Sequence, residues 1–86
     1  MRLLLIDDDP LIRDALAEWL LDRGYDVETA DSGEIGLVMF CRAAIDGVPF
    51  EAVVTDLGRP SLDGTAVVDR ILTIAPRTFT LMLRRV

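Results

Sequence analysis

The sequence predicts an α/β fold, a parallel sheet with helices on both faces, and three observations predict it. Short apolar runs alternate along the chain with longer stretches of helical spacing, the order that parallel sheets require. The first and third of these runs are continuous where a strand open to water on one side would alternate, so they read as strands buried on both faces. Two of them, Leu3-Leu4-Leu5-Ile6 and Ala52-Val53-Val54-Thr55, end directly in aspartate, Asp7-Asp8 and Asp56.

Each element has its own signals. Residues 2–6 make the first strand. Asp9-Pro10 opens a helix, with Asp as N-cap and Pro in the first turn. Leu11, Ile12, Ala15, Leu16, Trp19 and Leu20 then recur at helical spacing, with Arg13, Asp14, Glu18 and Asp22 opposite. Gly24 is placed to end that helix in the left-handed conformation. Tyr25 to Ala30 is the second strand. Asp31, with Glu34 three residues on, resembles a capping box for a helix over 33–44. Asp46-Gly47 is a turn signal. Phe50 to Thr55 is the third strand, and Asp56 to Gly64 a loop shaped by Pro60 and Gly64. Thr65 to Ala75 is a third helix through Val67, Val68, Ile71 and Leu72, closed by Pro76. Thr78 to Leu83 is the fourth strand.

Composition narrows the function. Eighty-six residues make one domain, spanning 1–86 with no effector domain expected. The hydrophobic fraction is 51% and the mean hydropathy +0.36, oily for a small soluble chain. The longest apolar stretches, such as Ile35 to Cys41, fall far short of the roughly 18 residues of a membrane span. Met1 to Ile6 imitates the start of a signal peptide, but three aspartates interrupt it. Burial against a partner is the better explanation. Net charge is −6, and every basic residue is arginine, with no basic run longer than Arg84-Arg85, which disfavours nucleic acid. Cys41 is the single cysteine; it excludes an intrachain disulfide, reads as a buried inert thiol, and fits a reducing cytoplasm.

If the first and third strands pair in parallel, Asp7, Asp8 and Asp56 meet at one sheet edge. Three carboxylates that close repel one another and call for a cation between them. Oxygen-only ligands at an open rim suit Mg²⁺, with Mn²⁺ as an alternative. The carboxyl ends of the strands are also where open α/β sheets place their ligands. Asp9 reads as the helix cap in preference to a fourth ligand.

Taken in order, these pieces resemble the receiver domain of bacterial two-component response regulators, a flavodoxin-like fold. The resemblance rests on Asp7-Asp8 and Asp9-Pro10, then Gly24-Tyr25-Asp26-Val27, then Ala30-Asp31-Ser32-Gly33. It is completed by Asp56-Leu57-Gly58-Arg59-Pro60-Ser61-Leu62-Asp63-Gly64, similar to the family's Asp-x-x-x-Pro-x-x-Asp-Gly, and covers residues 2 to about 83. It implies that Asp56 is the phosphoacceptor for a histidine kinase. It also implies that Asp7 and Asp8 bind Mg²⁺ with Asp56, and that the Gly58 carbonyl is a further ligand. Asp63-Gly64 would shape the turn, and Arg59 would be a surface residue of the loop.

The same resemblance marks two departures. A complete receiver has five strands in roughly 120 residues, a usual domain size, so this chain reads as truncated to about four strands and three helices, in the order 2-1-3-4. The family's lysine has no counterpart, because the 86 residues contain no lysine. Arg84 falls where a Thr or Ser would bind the phosphoryl group. Weakened phosphotransfer is therefore expected. A bare fourth strand, Thr78 to Leu83, predicts a homodimer through that region. Loss of the fifth helix would likewise uncover one face of strands one and three, beside Leu16, Trp19 and Leu20.

The expected function is a phosphorelay receiver module and not an enzyme. The alternative is a phosphorylation-independent, self-associating or decoy interaction module. A phosphatase reading, from the Asp-x-Asp string at Asp7 to Asp9, is minor, because such enzymes need a lysine and a longer chain.

Overall fold

In the computed structural model of the chain, residues 1–56 and 64–83 are described. The elements are β1 (Arg2–Ile6), α1 (Pro10–Asp22), β2 (Asp26–Ala30), α2 (Gly33–Ile45), β3 (Ala52–Asp56), α3 (Gly64–Ile74) and β4 (Phe79–Leu83). The strands form one parallel sheet in the order β2-β1-β3-β4. Strand order and helix number are those the family resemblance implies.

The helix ends follow from local chemistry. The Asp9 side chain accepts from the Leu11 amide at 3.0 Å, with Pro10 in the first turn. At the far end of α1 the Gly24 amide donates to Leu21 O and the Tyr25 amide to Leu20 O, with Gly24 at φ +90°. That is a Schellman closure, which favours glycine because a side chain at positive φ is strained. Helix α2 ends the same way: Gly47, at φ +79°, donates to Ala44 O and Val48 to Ala43 O. Its start corrects the expectation. The N-cap is Ser32, which accepts from the Ile35 amide at 3.2 Å, and not Asp31. A hydroxyl placed three residues before an open amide serves the cap directly.

Side chains on the two sheet faces build two cores. Leu4, Ile6, Val53, Phe40, Ala43, Val67 and Ile71 fill the α2–α3 side, while Leu3, Leu5, Ala52 and Val54 lie under α1. Phe50 precedes β3; its apolarity reflects packing on Phe40, with ring centroids 6.5 Å apart, and not strand pairing. The α1 contacts come from Leu16, Ala17 and Leu20, none fully buried. That seam is turned by roughly 100°, one residue step, from the stripe read in the sequence. Leu11 and Trp19 consequently face outward. Trp19 is 51% exposed and lies under the Arg23 guanidinium at 3.5 Å, so it is not a core residue. The expected uncovering of strands one and three is also overturned: Leu3, Leu5, Ala52 and Val54 are all buried, with Leu16, Ala17, Leu20, Val27 and Leu83 packed on them. Cys41 is half-buried, not buried.

At the amino ends of the strands one arginine ties several segments together. Arg2 pairs with Glu28 at 3.0 Å and Asp26 at 3.5 Å, donates to Val48 O, and covers the Phe50 ring at 4.6 Å. The opposite, carboxyl edge is left to the acidic residues.

Candidate functional site

Register determines which acids meet. Strand β1 pairs with β3 from Leu3↔Ala52 to Ile6↔Thr55, so one further step sets Asp7 opposite Asp56. Asp56 is the last residue of β3 and continues the alternation of Ala52 and Val54; Asp7 continues that of Leu3 and Leu5. Both therefore belong to the α1 side of the sheet, at its carboxyl edge. They are buried, at 3% and 1% exposure, and Asp8 beside them is exposed. One carboxylate oxygen from each of Asp7, Asp8 and Asp56 lies within 4.8 Å of the other two. The three residues singled out in the sequence are brought together.

Asp7 is fixed by neighbours on three sides. Its amide donates to Ala30 O at 3.1 Å, which carries the β1–β2 ladder one residue past Ile6. Its Oδ1 accepts from the Asp9 amide at 2.9 Å. Its carbonyl accepts from Arg13 Nη1 at 3.1 Å. The sequence reading placed Arg13 on the polar face of α1 and missed this contact. The available signal was position: Arg13 sits in the first turn of a helix that starts beside the acidic edge, so its side chain reaches back to that edge. Thr55, buried next to Asp56, donates to the Asp56 carbonyl at 3.4 Å.

Two buried carboxylates with a third close by form an arrangement that costs free energy without positive charge to offset it. The donor set is all oxygen, which fits a hard divalent cation. With one oxygen from each acid inside 4.8 Å, the three residues fit such a cation between them. Gly58 lies outside the described residues, as do Arg59, Pro60, Asp63 and Arg84.

Residues 3–84 match the family model of the response regulator receiver domain. Among relatives, the chain is 40% identical over 63 residues to the transcriptional regulatory protein AruR of Pseudomonas aeruginosa, covering 73% of this chain and 26% of that protein. It is 40% identical over 70 residues to the transcriptional regulatory protein QseB of Haemophilus influenzae, covering 81% of this chain and 29% of that one. The chain thus spans less than a third of the length of these relatives. Among solved structures it is similar to the response regulator TrrA of Thermotoga maritima in complex with Mg²⁺ and beryllofluoride, at TM-score 0.87 and 30% identity, covering 96% of this chain and 68% of that one. A structure of the histidine kinase ThkA in complex with the same regulator matches at TM-score 0.85 and 30% identity, covering 96% and 67%. With the sheet order, the acidic edge and the match over residues 3–84 in agreement, the chain belongs to the response regulator receiver domain family.

Proposed function

We propose that the chain is a phosphorelay receiver in which Asp56 accepts a phosphoryl group from a histidine kinase. The convergence of Asp7, Asp8 and Asp56 within 4.8 Å at the carboxyl edge carries the reading. An Asp56 carboxylate oxygen attacks phosphorus, an O–P bond forms, the bond from phosphorus to the donor breaks, and the donor leaves with its electron pair. Asp7, Asp8 and Asp56, with the Gly58 carbonyl, would hold Mg²⁺ or Mn²⁺. When bound, the cation offsets the charge on the transferring oxygens. The chain's own contribution is positional. Asp7 is pinned through the Asp9 amide and Arg13, which keeps its carboxylate oriented beside Asp56.

A signalling module, and not an enzyme, is the corresponding biochemical class, and a cytoplasmic setting belongs to the same proposal. Among the described residues no helix is long and apolar enough to cross a membrane. The 86 residues supply no lysine, so labelling of this chain alone is expected to be slow: removing one preorganised donor from a site of transition-state charge costs about 2.7–4 kcal/mol. Self-association is a second reading, favoured by the outer edge of β4, where Phe79 is 64% exposed and Leu81 and Met82 are also exposed. An exposed apolar edge strand invites pairing with another chain.

Beryllofluoride with Mg²⁺ tests the receiver reading by ¹⁹F NMR. The parent chain should show bound fluorine resonances that vanish on chelation of Mg²⁺ and in D56N. Identical bound resonances in D56N, or none in the parent, would refute it.

A further inference from the structure

Helix α2 has two apolar faces, and the sheet uses only one. Gly36, Phe40 and Ala43 face inward and are buried. On the outside, Ile35, Val38, Arg42 and Ile45 follow at i, i+3, i+7 and i+10, with Val38 65% and Ile45 82% exposed. Helix α3 runs alongside and contributes Arg70 and, one turn on, the exposed Ile74. Between the helices lies an open groove of about 420 Å³, floored by Leu37 and Cys41. A helix that is apolar all round ordinarily has protein on both sides, and an apolar patch rimmed by polar residues marks an interaction site.

Shape and charge specify the occupant. Along α2 the groove runs from Leu37 to Ile45, eight residue steps or about 12 Å, which matches a little over two turns of a helix laid in a groove. Among the described residues neither Arg42 nor Arg70 makes an ion pair. Two uncommitted guanidinium groups on an apolar groove stand out in a chain of net charge −6. We propose that the α2–α3 groove docks an acidic amphipathic helix of another protein, with apolar side chains at i, i+3 and i+7 in the groove and carboxylates on Arg42 and Arg70.

Two other occupants fit less well. A second copy offers acids at Asp14, Glu18 and Asp22 on α1, but α1 lies on the other sheet face. Docking by α1 would leave one groove and one α1 unused in every pair, a head-to-tail contact that builds rings or filaments and not a two-fold dimer. An anionic bilayer is recognised by clusters of about four to eight basic residues, and this groove has two.

The experiment titrates the 86-residue chain with a designed peptide of about 18 residues, a length that sustains helix, bearing leucines at i, i+3, i+7 and i+10 between glutamates. Calorimetry should report one-to-one binding that weakens with salt, and Cys41 alkylation should slow at least fivefold in the complex. The R42E/R70E variant, and the same peptide with lysine for glutamate, should each bind at least tenfold more weakly; both arginines are exposed, and circular dichroism is the control for folding of the variant. Equal binding of the two peptides, an unaffected R42E/R70E variant, or no binding would overturn the proposal. So would Cys41 protection that rises with protein concentration without peptide, which assigns the groove to a second copy. Protection by phosphatidylserine vesicles but not by the peptide would assign it to a membrane.

Discussion

The Asp9 amide donates to Oδ1 of Asp7 at 2.9 Å, so the residue that caps α1 also orients an acid of the site. Asp9 divides its labour: its side chain holds the Leu11 amide, and its backbone holds Asp7. Helix capping and site geometry therefore share one turn of chain.

Separating those roles is the first test. Asp9→Ala removes the side-chain cap but keeps the amide, and should cost about 1 kcal/mol of stability, a fall in Tm of about 4–8 °C for a domain of this size. Asp9→Asn keeps a capping oxygen and should stay near the parent. If Asp9 serves as cap and not as ligand, Mg²⁺ affinity measured by titration should change little in the Asn variant. A large loss of affinity in D9N would make Asp9 part of the metal shell.

Charge crowding at the edge gives a second expectation. In metal-free buffer Asp8→Asn relieves repulsion with Asp7 and Asp56 and should stabilise the fold by about 1 kcal/mol, allowing for solvent screening of an exposed group. With Mg²⁺ at one hundred times its dissociation constant the parent should gain about 2.7 kcal/mol, and D8N much less. Thermal melts in EDTA and in Mg²⁺ read both numbers. A D8N variant that is less stable than the parent in EDTA would show that other contacts of Asp8 outweigh its repulsion with Asp7 and Asp56.

Gly36 lets α2 approach β1 closely. A Cβ there would collide with Cδ1 of Ile6 and lie 2.7 Å from its Cγ1, one residue before Asp7. Gly36→Ala should therefore cost about 1–3 kcal/mol by overpacking. Ile6→Val, which shortens the colliding side chain, should recover part of that loss in the double variant. Strict additivity in chemical denaturation would argue against the contact.

Self-association at β4 predicts a particle of twice 9.5 kDa by light scattering at micromolar concentration. Charged substitutions at Leu81 and Met82 should shift it to aggregate or unfolded chain. A stable, folded particle of 9.5 kDa would remove the second reading of function.

The alternation of strands and helices was legible in the sequence because apolar run length and terminal aspartates are local signals, whereas the strand order came from the resemblance to the receiver family. Asp7, Asp8 and Asp56 were found for the same reason: each stands at the end of an uninterrupted strand. What the sequence did not reveal depends on neighbours distant along the chain. Leu3-Leu4-Leu5-Ile6 carries no alternation, so nothing in it says that Leu5 faces α1 and Ile6 faces α2. The outward face of Trp19 follows from Ala17, whose small side chain lets the helix turn its Leu16–Leu20 seam to the sheet. Arg13 was misread because polar residues on a helix are assigned to solvent by default, whereas a long side chain in the first turn reaches back past the cap.

Site-mapped labelling addresses the phosphoacceptor assignment most directly. The 86-residue chain is incubated with acetyl phosphate, with and without Mg²⁺, and the acyl phosphate is trapped by borohydride and located by mass spectrometry. Asp56 as acceptor predicts a slow, Mg²⁺-dependent label confined to Asp56 and lost in D56N. A label on another residue, a yield independent of Mg²⁺, or an undiminished label in D56N would contradict it.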